Sequence, residues 1–148
     1  MTAVSPATWR NHTELPVHPL SVSLARRHVA HVLMGWGRDT LIDDAQLVIS
    51  ELVTNGIKAS TPDEDEVAAY GALAGRYRRL RVGLHQASTG VVLEVWDCSR
   101  HPPKHRSPDT EALGGRGLYV VDALAVSWGY RWPRTGGKVV WVLLGEPS

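Results

Sequence analysis

The chain has no phenylalanine, two methionines and a single cysteine among its 148 residues. One cysteine, Cys98, excludes an internal disulfide framework and fits a reducing compartment. Without phenylalanine, core filling falls to other large side chains. Of the six tryptophans, Trp36, Trp96 and Trp141 are expected in the core, while Trp128 and Trp132 are expected to be partly exposed. Long apolar runs are missing too: none reaches the roughly 18 residues that cross a bilayer. The opening stretch MTAVSPATWRNHTELP has no apolar core of signal-peptide type. A net charge of +1 gives no electrostatic footprint for nucleic acid or membrane. These absences point to a cytoplasmic protein with neither membrane nor nucleic-acid partner.

What is present is an ordinary globular composition, 43% hydrophobic and 21% charged. A chain of this length makes one domain, burying about 68–70% of its unfolded surface. Residues 1–7 read as a disordered start and 8–146 as a single domain, with a short edge strand expected within 7–15. Apolar spacing predicts a helix over 20–35, capped by Ser21 or Ser23 and ended by Gly35 and Gly37. A second helix is predicted over 40–60. Thr40 would cap it, and Asp43 and Asp44 suit its N-terminal dipole. Its apolar stripe is Leu41, Ala45, Val48, Leu52 and Ala59, with Asn55 at the edge and Glu51 just outside.

Residues 61–76 read as a loop that includes one helical turn. Leu80, Val82 and Leu84 then alternate with Arg81, Gly83 and His85, as a strand requires. In the next strand Val91, Leu93, Val95 and Asp97 share the face expected to be the core side, and Val92, Glu94 and Trp96 share the other. Residues 99–113, proline-rich and basic, form a long loop of functional type. Gly114–Gly117 lead into a short apolar helix. Strands over 128–132 and 139–144 close the chain.

Glu51 and Asn55 stand four residues apart, so one helix face carries both. A carboxylate can act as a general base, and an amide oxygen can hold a hard cation such as Mg²⁺. Lys58 lies a turn beyond Asn55. The GGRGL entry offers backbone N–H groups and a helix N-terminus to an anion, or serves simply as a flexible joint. Familiar phosphate motifs are absent: there is neither G-x-x-x-x-G-K-[ST] nor G-x-G-x-x-G after a strand. Asp97, a carboxylate on an inward face, requires a donor partner, from a ligand or from the following turn. Cys98, His101 and His105 have zinc-like spacing, but solvated loop residues account for them better. Arg76, Arg78, Arg79 and Arg81 are accounted for by strand alternation, and the acidic run 63–66 by a solvated loop.

In this order (ELVTN in a helix, Asp97 ending a strand, a long loop, GGRGL into a helix, a last strand) the pieces resemble the GHKL ATP-binding superfamily. GGRGLYVVDALA…WGYR…GGKVVWVLL looks most like its anti-sigma-factor serine/threonine kinases. The resemblance covers about residues 8–145. It implies an α+β fold, a two-layer sandwich of Bergerat type with a mixed, mostly antiparallel sheet and helices on one face. It implies ATP and Mg²⁺ as cofactors. Glu51 would match the general base and Asn55 the Mg²⁺ ligand. Lys58 would be a basic phosphate contact and Asp97 the acceptor for the adenine amino group. Gly115, Arg116, Gly117 and Leu118 would form the second glycine box, and residues 99–113 the lid. The implied role is transcription regulation: phosphorylating an antagonist (anti-anti-sigma) protein and holding a sigma factor, as a possible homodimer.

The chain departs from the family pattern at several points. The usual Asp-x-Gly-x-Gly reads Asp97-Cys98-Ser99-Arg100-His101. Val139 stands where a threonine near adenine is common. Ala59 replaces a basic or aromatic residue, and the 61–76 insertion is long. These differences bear on nucleotide affinity rather than fold. They motivate an alternative, a GHKL-fold binding module with weak or no phosphoryl transfer. A sensor histidine kinase fits less well, since the chain lacks room for a dimerisation helix pair.

Overall fold

The computed structural model describes residues 11–76, 78–99 and 116–146. The strands are β1 (His12–Pro16), β2 (Arg79–Ala87), β3 (Gly90–Asp97), β4 (Ser127–Arg131) and β5 (Lys138–Gly145). The helices are α1 (Ser21–Gly35), α2 (Ile42–Ser60), α3 (Glu64–Tyr70) and α4 (Arg116–Leu124). One five-stranded sheet runs in the order β1-β2-β3-β5-β4. All four pairings are antiparallel, so the mixed sheet expected is fully antiparallel among the described residues. The α+β sandwich itself is as expected. No described helix is long and apolar enough to cross a membrane.

Strand alternation sorts the sheet into two faces. Leu80, Val82 and Leu84 of β2, Val91, Leu93 and Val95 of β3, and Val140, Val142 and Leu144 of β5 are buried on the helix-covered face. A fully buried Leu such as Leu84 or Leu93 contributes about 1.5–3 kcal/mol of transfer free energy. From α2 they meet Ala45, Val48, Ile49, Leu52 and Val53; from α1 they meet Ala25, Val29 and Leu33. The expected α2 stripe is therefore largely right. Its last member is not, because Ala59 is exposed and Gly56 and Ser60 take the inner positions.

The opposite face carries His85, Glu94, Trp96 and Trp141, and no described helix lies across it. Trp96 and Trp141 thus sit on this second face, half-buried, rather than in the helix–sheet core. Gly129 makes room for Trp141, since a Cβ there would stand 2.9 Å from the indole. Trp36 packs half-buried against the core edge, and Trp132 is exposed.

Several local expectations change. Neither Ser21 nor Ser23 caps α1: their hydroxyls donate to the Pro16 and Leu20 carbonyls. Thr40 lies in a short 3₁₀ turn before α2, and its hydroxyl donates to Glu146, which also pairs with Arg38 at 2.8 Å. The insertion folds further than one turn. Asp63 and Glu66 form a capping box that starts α3. Arg78 then pairs with Glu66 and donates to the Ser60 carbonyl at 2.8 Å, tying the segment back to the end of α2. The expected strand within 7–15 appears as His12–Pro16, with 7–10 outside the described residues.

Candidate functional site

Helix α2 packs its C-terminal half over the end of β3. Gly56 makes this approach possible. A Cβ there would lie 3.1 Å from the Leu80 side chain, 3.5 Å from Val95 and 3.8 Å from the Asp97 Cβ. Asn55, the residue before this contact, is half-buried, as is Glu51 one turn earlier. Lys58 is exposed. Helix α4 lies beside α2. Arg116 and Gly117 form its first turn, and Leu118 is buried within the fold. The structure therefore brings the Asn55–Gly56 stretch of α2 up to Asp97, with Glu51 one turn earlier on the same helix and α4 packed against α2. Gly115 and residues 100–113 of the expected lid, His101 and His105 among them, lie outside the described residues.

Asp97 ends β3 on the covered face, 3% exposed, as alternation requires. Its donor partners are internal. The Ser99 backbone N–H donates to Oδ1 at 2.8 Å, the turn-capping role expected from sequence. The Lys138 Nζ stands 3.3 Å from Oδ2, and both side chains are almost fully enclosed. Burial raises the Asp97 carboxyl above its ordinary value; Lys138 and the Ser99 N–H only partly offset this.

Lys138 is the functional-region residue that sequence reasoning missed. The expectation placed Val139 beside the adenine position. The register instead sets Lys138 opposite Asp97 and Val139 opposite Trp96, which puts Val139 on the far face. The turn before Lys138 is held tightly. Trp96 Nε1 donates to the Gly136 carbonyl at 2.9 Å, and Gly137, at φ +75°, leaves no room for a side chain against Asp97 and Trp96.

The donor chemistry suits a metal–nucleotide ligand at the α2 end. The Glu51 carboxylate and the Asn55 carboxamide oxygen are hard donors, partly open to solvent and one turn apart. At the Asp97 end the acceptor is present but already faces a cation. The basic cluster is taken up locally: Arg81 pairs with Glu14 at 3.1 Å and lies over the Trp96 ring, and Arg79 donates to a neighbouring carbonyl.

A family model described as histidine kinase-like ATPase domain matches residues 15–144. No curated protein matches the chain. The chain belongs to the histidine kinase-like ATPase family, and membership implies ATP binding.

Proposed function

We propose that this chain is an ATP·Mg²⁺-binding regulator of anti-sigma-factor type that phosphorylates a serine or threonine on an antagonist protein in the cytoplasm. On this reading it holds a sigma factor when not engaged by that antagonist, and a homodimer is the expected assembly. The observation that carries the reading is the convergence at one end of α2: Glu51 and Asn55 half-buried on one face, with Gly56 laid against Asp97.

Bound Mg²⁺ would supply charge neutralisation for phosphoryl transfer. Asn55 would hold it through the carboxamide oxygen. Glu51 would orient the acceptor hydroxyl and take its proton. Backbone N–H groups of Gly115–Leu118, with Arg116, would meet the phosphates at the start of α4, and Lys58 would add a basic contact. Asp97 would accept from the adenine amino group. Catalysis would come mainly from positioning.

Lys138 favours a second reading, a binding module that regulates partners through protein contacts with weak nucleotide affinity. Its ammonium already engages the carboxylate that adenine would use.

Calorimetric titration with ATP and Mg²⁺ separates the two. The kinase reading expects binding lost in Asn55→Ala. It also expects binding retained, with phosphate transfer lost, in Glu51→Ala. No binding at millimolar ATP would rule out the kinase reading. Tightening in Lys138→Thr would show that the lysine competes with the base.

A further inference from the structure

Away from the α2 end, three strands bring two imidazoles and a carboxylate together on the second face of the sheet. The rows of the sheet explain how. His12 pairs with Gly83, and Gly83 pairs with Glu94, so the three positions form one row across β1, β2 and β3. Gly83 is the gap in that row. A Cβ there would stand 2.3 Å from His12 Nε2, so the imidazole lies across β2 only because β2 has no side chain at this point. His85, two residues along β2 on the same face, completes the group.

His12 Nε2 lies 3.1 Å and His85 Nε2 2.8 Å from the same oxygen, Glu94 Oε1. The rings meet edge to face with centroids 5.2 Å apart. Arg131 holds the other carboxylate oxygen at 3.2 Å and so fixes the orientation of Glu94. All three ligand atoms fall within 4.8 Å of one another. A tetrahedral zinc ion with bonds of about 2.0–2.1 Å separates its ligand atoms by roughly 3.3 Å, so only small side-chain shifts are needed.

We propose that His12, His85 and Glu94 form a binding site for one divalent transition-metal ion of the zinc class. Three protein ligands leave a fourth position open to water, as the part-exposed imidazoles allow. Each ring now directs Nε2–H at the carboxylate. On binding, the Nε2 lone pairs and Oε1 bond the ion, and the proton each Nε2 carried passes to that ring's own Nδ1 where it is bare, or to solvent where it is not. Imidazole ligands select against Mg²⁺, which prefers all-oxygen sites. The site is therefore chemically distinct from the Glu51–Asn55 end and does not depend on the nucleotide reading.

The test is calorimetric titration of the untagged, metal-stripped full chain with Zn²⁺. One ion per chain at micromolar affinity or tighter is expected, undiminished by excess Mg²⁺. Glu94→Gln and His85→Ala should each weaken binding by at least about tenfold, the scale of losing a well-placed metal contact. Gly83→Val keeps every ligand side chain but evicts the His12 ring, and should weaken zinc to the same degree. His12→Ala gives the same readout should the valine disturb folding. Cys98→Ser and His31→Ala should leave zinc binding unchanged. The proposal fails if no zinc binds at micromolar concentration. It fails equally if affinity survives Glu94→Gln and His85→Ala, or is lost in Cys98→Ser or His31→Ala.

Discussion

Alternate residues of β3 live in different surroundings. Val91, Leu93 and Val95 point into the helix-covered core and lead to Asp97. Val92, Glu94 and Trp96 point to the other face, where side chains from the neighbouring strands cover one another. Each face buries one carboxylate, and the two are shifted in opposite directions. Burial raises Asp97, and one ammonium with one backbone N–H does not undo it. Burial also pushes Glu94 upward, but hydrogen bonds from His12 and His85 and the charges of His85 and Arg131 outweigh it, so its carboxyl is held well below the usual range. The number of donors reaching a carboxylate, more than its depth, sets the sign.

Breaking the core-side pair should have the largest effect. Asp97→Ala removes the carboxylate that faces the buried Lys138 ammonium and should cost about 3–5 kcal/mol in urea unfolding. The double change Asp97→Leu with Lys138→Met should recover most of that loss, since apolar replacements of buried pairs are often neutral. Next, Leu93→Ala should cost about 3 kcal/mol because it empties a fully enclosed site. Its neighbour Val92→Ala, half-buried on the other face, should cost about 1 kcal/mol. Equal costs would mean that the two faces are equally packed.

Acid titration sharpens the contrast in sign. The depressed Glu94 contributes stability that is present above its ordinary value of 4.5 and lost as pH falls below it toward the folded value. The raised Asp97 does the reverse: its contribution is present below 3.8 and lost as pH rises through the folded value. Urea midpoints followed from neutral into this acid range should therefore fall less steeply in Glu94→Gln than in the parent chain, and more steeply in Asp97→Asn. The smallest effect belongs to the sheet edge. Glu14→Ala removes an exposed partner of Arg81 and should change stability by less than about 0.5 kcal/mol.

What the sequence revealed follows the range of the interactions. Apolar period placed α1 and α2 to within a residue or two, and strand alternation assigned Asp97 to the covered face. Both signals are local. Lys138 stayed hidden because its place beside Asp97 depends on β5 pairing with β3 in one register, set across 41 positions of chain. The His12–His85–Glu94 group needed two registers at once, and Gly83 looked like an ordinary strand glycine until β1 was known to lie beside it. The mixed sheet was an expectation of family resemblance, and the described pairings replace it.

The tie between Arg78, Glu66 and the Ser60 carbonyl gives the chain a branch point. The described residues between Ser60 and Arg78 leave the main path and return to where it began. Helix α3 is thus an ornament hung from a clasp, free to lengthen, shorten or be exchanged while the sheet keeps its course, because a longer closed excursion adds little entropic cost. A lineage could rewrite this appendage to change what it touches without renegotiating the fold beneath it.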